Sequence, residues 1–441
     1  MNKSPSSYVS IQRRDVLRIS AVHIGVGLST VTISGFVNAE MKFLGWRSST
    51  ITLFFGIAIL FELGRIIIGL LHDRRPKIKE YLIIGSVLSF LGLILIPLKI
   101  GLINNPIFII GLALFYGGTA ILTTLVDSYL TLISYPRERN RISGILQSAR
   151  LIGFAGGGIL GSITYSRLDF KIFMGMINII LLITVIITLV SIDLKTWQRR
   201  MKEIGSDSVH LEHSRTNTKD KKNQSLVSSI SDKNVLLMSI FLILFSIGLF
   251  MQDFILEPFA IARLDFGKSD VGKLIAIWGI ATLIFVPIGS VLEGKIGKLR
   301  TIIIGQTIAT LGMVIISFSS KFTNVTLFYF GLIIFSIGGG LSSSPAISIM
   351  LDLCYVNFKY TTFLLGFFGI IITLGRSIAA ITSGVLLSIS NDNYSLIFFV
   401  EAVFIILSLF AIFPISKRID RQMVEMNFED KFHLTKPSLE L

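Results

Sequence analysis

The sequence predicts an all-α membrane protein with twelve transmembrane helices in two pseudo-symmetric six-helix halves. Three observations predict it: apolar blocks of about 20 residues recur along the chain, basic residues gather on alternate loops, and short motifs return in the second half at nearly one spacing. The 441 residues are 52% hydrophobic and 15% charged, and the mean hydropathy is +0.76. A soluble domain carries about a quarter charged residues. A single cysteine, Cys354, excludes an internal disulfide framework and any CxxC metal site.

The apolar blocks predict spans at 19–39, 49–71, 81–98, 107–134, 143–165, 171–192, 235–258, 272–292, 301–318, 325–352, 361–388 and 394–415. Each is close to the length that crosses a hydrocarbon core of about 30 Å. The polar, basic first 18 residues run straight into a full-length span, so span 1 is expected to act as its own insertion signal, without a cleavable leader. The one long polar segment, 193–234, mixes charges with Ser, Asn and Thr. It cannot bury a core and reads as a flexible linker. The expected organisation is a cytoplasmic segment (1–18), an N-terminal half (19–192), a cytoplasmic linker (193–234), a C-terminal half (235–415) and a cytoplasmic tail (416–441).

The net charge of +14 would suit nucleic acid, so its placement decides the matter. With the N-terminus in the cytoplasm, 29 Lys and Arg fall on that side and 9 on the other, while Arg65, Arg150 and Arg376 lie inside spans. This is the positive-inside asymmetry, and it predicts a multi-pass protein with both termini cytoplasmic. The basicity is topogenic, and no nucleic-acid partner is expected.

The halves repeat one another. GLLHDRRPKIK from Gly69 returns as GSVLEGKIGKLR from Gly289, 220 positions later. RLIGFAGGGILGS from Arg150 aligns with RSIAAITSGVLLS from Arg376 at an offset of 226, and Asp127 with Asp352 at 225. Gly69-x-x-x-Asp73-Arg74-Arg75 resembles the loop between spans 2 and 3 of the major facilitator superfamily, whose two halves are parallel repeats. The resemblance implies that fold and a gating role for Gly69, Asp73, Arg74, Arg75 and the duplicate Glu293. The reading that the charges only anchor the loop stays open.

Charges inside a bilayer cost roughly 2.5 kcal/mol or more each, so they pair or face an interior. Glu62 and Arg65, three residues apart, are expected to pair. Asp127 with Arg150, and Asp352 with Arg376, lie at matching depths and are expected to complete an intramembrane charge network. A structural ion-pair network and a proton relay or substrate site both fit these residues. Span 5 carries Gly144, Gly153, Gly157, Gly158 and Gly161. The pattern resembles that of proton-coupled antiporters, but Gly158 stands where those have proline, and close helix packing is the preferred reading.

Span 7 ends in Met251-Gln252-Asp253-Phe254-Ile255-Leu256-Glu257-Pro258. Asp253 and Glu257, four apart, would share one helical face beside the breaker Pro258 near the noncytoplasmic mouth. Two like charges there call for a cation, a metal or water. The MQD-x-x-LEP stretch resembles the span 7 signature of the PucC/LhaA family, a branch of the major facilitator fold. The opening LRISAVHIGVGLSTVTISGFVNAEM, the Arg65-x-x-x-Gly69-x-x-x-Asp73 ending of span 2 and the YPRERNRISGILQSARLIG junction resemble that family too.

The resemblance implies assistance to light-harvesting antenna assembly in a photosynthetic membrane, by binding or delivering chlorophyll or bacteriochlorophyll. Expected partners are the lipid bilayer, antenna polypeptides and a tetrapyrrole pigment. Asp253, Glu257, Gln252 and His23 are the candidate substrate contacts, a carboxylate being able to ligate the pigment's Mg²⁺. No catalytic residues, resident metal or tightly bound cofactor are expected, chlorophyll entering as cargo, because no nucleophile–base pair or cofactor loop is present. A proton-coupled transporter of a small amphipathic solute and a non-transporting scaffold for antenna polypeptides remain alternatives. The topology is checked by cysteine labelling in a Cys354→Ser background. A membrane-impermeant maleimide should reach Lys222→Cys only from the cytoplasmic side and Lys99→Cys only from the opposite side.

Overall fold

A hydrocarbon environment offers the backbone no hydrogen-bond partners, so a spanning chain must satisfy itself as helix or closed barrel. The computed structural model takes the first course, with no strand among the described residues, which are 13–75, 77–102, 104–133, 139–193, 233–356 and 361–434. The expected linker falls largely outside them.

Among the described residues eleven helices are long and apolar enough to cross a membrane: α1 (Asp15–Phe43), α2 (Ser48–His72), α3 (Ile78–Leu98), α4 (Pro106–Thr131), α6 (Phe170–Ser191), α7 (Lys233–Leu264), α8 (Lys268–Ile296), α9 (Lys298–Phe322), α10 (Val325–Cys354), α11 (Thr362–Ile389) and α12 (Tyr394–Pro414). Between α4 and α6 lies α5 (Arg139–Thr164), whose 26 residues reach about 39 Å at 1.5 Å per residue. Its glycines and polar side chains make it less apolar than the rest, because its faces meet protein more than lipid. The result is an all-α membrane protein.

Buried apolar side chains form two cores. One is built on α1–α6 around Phe36, Phe115 and Phe173; the other is built on α7–α12 around Phe241, Phe259 and Phe328. Phe254, Val271, Ile275 and Ala380 cross from the second set of helices into the first core. The outward faces of α3, α6 and α12 expose Ile83, Val87, Ile179, Ile183, Phe399 and Phe410. In water such a belt would be an aggregation surface; in lipid it is the solvated face.

The two sets of helices meet along two seams, α5 against α8 and α2 against α11. Both rely on small residues that let backbones approach. A Cβ at Gly158 would lie 2.4 Å from the Ala276 nitrogen, and one at Gly69 would lie 2.8 Å from the Thr362 carbonyl oxygen. Inside the first set, a Cβ at Gly153 would lie 1.9 Å from the Ile24 carbonyl oxygen, which holds α5 against α1. The span 5 glycines therefore act in packing.

Three spans are interrupted. α1 passes through a π-helical stretch, Thr32–Val37, α2 through a 3₁₀ stretch, Ile59–Gly64, and α7 through a 3₁₀ turn, Met251–Phe254. The α7 interruption corrects the expectation of one continuous helical face, since Asp253 lies in the turn and Glu257 in the next segment, Leu256–Leu264. Pro258 is the third residue of that segment, where a missing N–H costs no hydrogen bond. The span also runs on to Leu264, so both acids lie well inside it and not at its mouth. The apolar residues of Phe259-Ala260-Ile261 beyond the proline continue the helix that a breaker rule had ended.

Packing of α5 on α1 is tested by paired substitutions on one helix. Gly153→Ala should lower stability by roughly 1–3 kcal/mol through overpacking. Gly156→Ala, which meets nothing within 4 Å, should leave it unchanged or raise it by up to about 1 kcal/mol. Thermal unfolding of the purified variants in detergent reads both effects; equal shifts would contradict the close approach.

Candidate functional site between the two helix sets

The 3₁₀ turn of α7 frees backbone groups in the middle of the bundle, and neighbouring helices satisfy them. The Asn38 amide donates to the Phe254 carbonyl at 3.1 Å, and the Thr52 hydroxyl donates to the same oxygen at 3.2 Å. The Gln252 backbone N–H donates to Glu401 at 3.3 Å, and the Ser383 hydroxyl reaches the Met251 carbonyl at 3.5 Å. Broken backbone at membrane depth is tolerated where protein supplies such partners. Here they come from α1, α2, α11 and α12.

Against this turn lies a small cavity of about 10 Å³, lined by Ser34, Phe154, Gln252, Asp253, Leu256, Glu257, Ile275 and Trp278. It has room for about one water molecule. Phe154 and Trp278 meet edge to face at 4.5 Å and form its aromatic wall. Glu257 is 6% exposed and accepts from the Asn38 amide at 3.4 Å. Burial rules out the reading in which both acids merely end the span in water. Of the four expected substrate contacts, the cavity gathers Gln252, Asp253 and Glu257. His23 is elsewhere, fully buried and held to Asp127 at 2.9 Å.

One turn toward the basic loops lies a charge cluster. Arg376 of α11 sits 3.5 Å from Asp253 of α7 and 4.0 Å from Glu62 of α2, with its guanidinium 5.2 Å from the Phe250 ring centroid. Arg65 pairs with Glu62 at 2.6 Å, and the Thr373 hydroxyl donates to the same carboxylate at 2.9 Å. The Glu62–Arg65 pair forms as its spacing suggests. The other two pairings do not. Asp127 pairs with His23 instead of Arg150. Arg376 pairs with Asp253 and Glu62, while Asp352 pairs with Lys298. Equal depth was correct reasoning about the axis, but helix rotation decides which side chains meet.

The basic-loop end of the bundle is closed. Ser128 and His72 both reach the Thr362 hydroxyl, at 2.6 and 3.1 Å, and Ser143 of α5 reaches Ser344 of α10 at 3.5 Å. Glu293 is buried with Lys298 3.7 Å away, and Lys298 also holds Asp352, so the second-half copy of the loop motif is an α8–α9–α10 clasp. Arg74 and Arg75 are exposed, and the Asp73 side chain falls outside the described residues. The opposite end is closed as well. Glu40 accepts from Lys268 at 2.8 Å and from the Tyr165 hydroxyl at 2.5 Å, while Tyr394 donates to Ser48 at 2.6 Å.

Sequence reasoning missed Lys298, Thr373 and Glu401 as partners of the candidate residues. Thr373 was findable, since it stands one turn before Arg376. Lys298 was counted as a loop residue, and nothing in its surroundings marks it as the base for Asp352.

The two-set bundle has the major facilitator fold, and solved structures agree. The xylose transporter XylE from E. coli, in a partially occluded inward-open conformation, matches with a TM-score of 0.67 at 13% identity over 91% of this chain and 98% of that one. The human organic anion transporter MFSD10 (TETRAN) matches at 0.64 and 11% identity over 91% and 100%. A D-xylose–proton symporter matches at 0.64 and 15% over 88% and 96%. At these identities the likeness concerns fold. No curated protein matches the sequence. The family model described as PUCC protein matches residues 40–419, and the chain belongs to that family.

The Arg376 bridge is tested by a double-mutant cycle. Arg376→Gln should cost roughly 3–5 kcal/mol, because it strands buried carboxylates. Adding Asp253→Asn should recover part of that loss. Simple additivity in thermal unfolding would show that the two side chains do not couple.

Proposed function

We propose that this PUCC-family protein assists assembly of light-harvesting antenna complexes by binding or delivering chlorophyll or bacteriochlorophyll between its two helix sets. The observation that carries this reading is the convergence of Asp253, Glu257 and Gln252, from the family-like MQD-x-x-LEP stretch, on one enclosed cavity with an aromatic wall. A carboxylate oxygen can ligate the pigment's Mg²⁺, and flat aromatic side chains suit a macrocycle. The closed cavity is far smaller than a tetrapyrrole, so loading requires the helix sets to part. The clasps at the two ends, built on Thr362 and on Glu40–Lys268, are the contacts that must open. Antenna polypeptides would meet the apolar outer faces. In this reading the membrane is photosynthetic, both termini are cytoplasmic and the protein is not an enzyme.

One observation favours a second reading. Glu257 and Glu401 are buried with no cationic side chain within 4.0 Å among the described residues, the state expected of carboxylates that take up and release a proton. Coupled movement of a small amphipathic solute would use them. It is separated from the first reading by pH-gradient-dependent uptake into vesicles.

The pigment reading is tested by the absorption spectrum of protein purified from a pigment-replete host. Pigment should co-purify, and Glu257→Ala should reduce pigment per protein several-fold. A colourless preparation, together with unimpaired antenna assembly after gene deletion, would overturn it.

A further inference from the structure

Three arginines lie inside the spans, and two of them are paired: Arg65 with Glu62, and Arg376 with Glu62 and Asp253. Arg150 of α5 is not. Among the described residues its side chain makes no hydrogen bond and has no carboxylate within 4.0 Å; its Nε is enclosed and unbonded. Its charged neighbours are Asp127 on α4, Arg65 and Glu62 on α2 and Arg376 on α11, so it faces the interior between the helix sets. Each carboxylate among these is already engaged, Asp127 by His23 and Glu62 by two arginines. Nor can Arg150 move to find a partner by shifting its backbone. A Cβ at Gly27 would lie 2.0 Å from the Arg150 carbonyl oxygen, so α1 and α5 are pressed together at this residue. One turn further along α5 stands Phe154, on the wall of the cavity.

We propose that Arg150 binds the carboxylate of an amphipathic substrate held between the helix sets, the apolar part lying toward Phe154 and Trp278. A guanidinium at membrane depth with no carboxylate in contact is an incomplete ion pair, and its planar fork matches a carboxylate bidentately. A dianionic phosphate would call for a second free cation, and Arg65 and Arg376 are committed. The inference rests on the pigment reading, and within it the cargo is a tetrapyrrole carrying a free propionate instead of its long-chain ester.

The test is binding to the full chain in nanodiscs, read by fluorescence, with chlorophyllide a and its methyl ester as probes. Dodecanoate and methyl dodecanoate form a second, pigment-free pair. The wild-type protein should prefer each acid over its ester by at least tenfold. Arg150→Gln should abolish the preference while leaving ester binding unchanged, and Arg150→Lys should retain part of it. If Arg150→Gln does not fold, the acid-to-ester comparison in the wild type and Arg150→Lys still decide. Equal affinities for acid and ester, or a preference that survives Arg150→Gln, overturns the inference. Pigment binding without acid preference would do so while leaving the pigment reading standing. An Arg150-dependent preference for dodecanoate without pigment binding would support the carboxylate site and reject the pigment.

Discussion

The structure depends on one constraint: every polar group placed at membrane depth must find a partner inside the protein, because lipid offers none. The break in α7 exposes the Phe254 and Met251 carbonyls, and Asn38, Thr52 and Ser383 answer them from three other helices. The same rule assembles the charge cluster. Glu62, Arg65, Thr373, Arg376 and Asp253 come from α2, α7 and α11, and removing any one leaves the others in a low-dielectric interior. Polar satisfaction is therefore what joins the two helix sets, beyond the glycine-lined contact of their backbones.

This coupling gives the seam its functional character. Dispersion packing along α5–α8 and α2–α11 is continuous, while the polar contacts concentrate at three levels: the Thr362 clasp, the central cluster and the Glu40–Lys268–Tyr165 clasp. The α5 helix stands apart within it. Its glycines give close contact on two sides, toward α1 and toward α8, and the space so gained is where Phe154 and Arg150 face the interior.

The two halves diverge where the sequence already looked unequal. The π-helical stretch of α1 and the 3₁₀ turn of α7 meet near Asn38 and Phe254, and only the second carries an acid, Asp253. The duplicated loop motif also differs in use. Gly69 gives α2 close access to α11, whereas Glu293 joins a clasp of α8, α9 and α10.

The sequence by itself determined the all-helical membrane fold, eleven of the expected spans, the two-set plan, the family and the neighbourhood of Gln252, Asp253 and Glu257. Hydropathy, motif spacing and an i, i+3 pair such as Glu62–Arg65 are local properties, readable in one dimension. Only the tertiary structure decided that α7 is broken between Asp253 and Glu257, because the break is stabilised by Asn38, Thr52 and Glu401, which lie between 145 and 220 positions away in the chain. It also decided the partners. Matching depth placed Asp127 beside Arg150 and Asp352 beside Arg376, but the rotation of each helix gave Asp127 to His23 and Asp352 to Lys298. That rotation left Arg150 without a carboxylate in contact among the described residues, a fact no spacing in the sequence records.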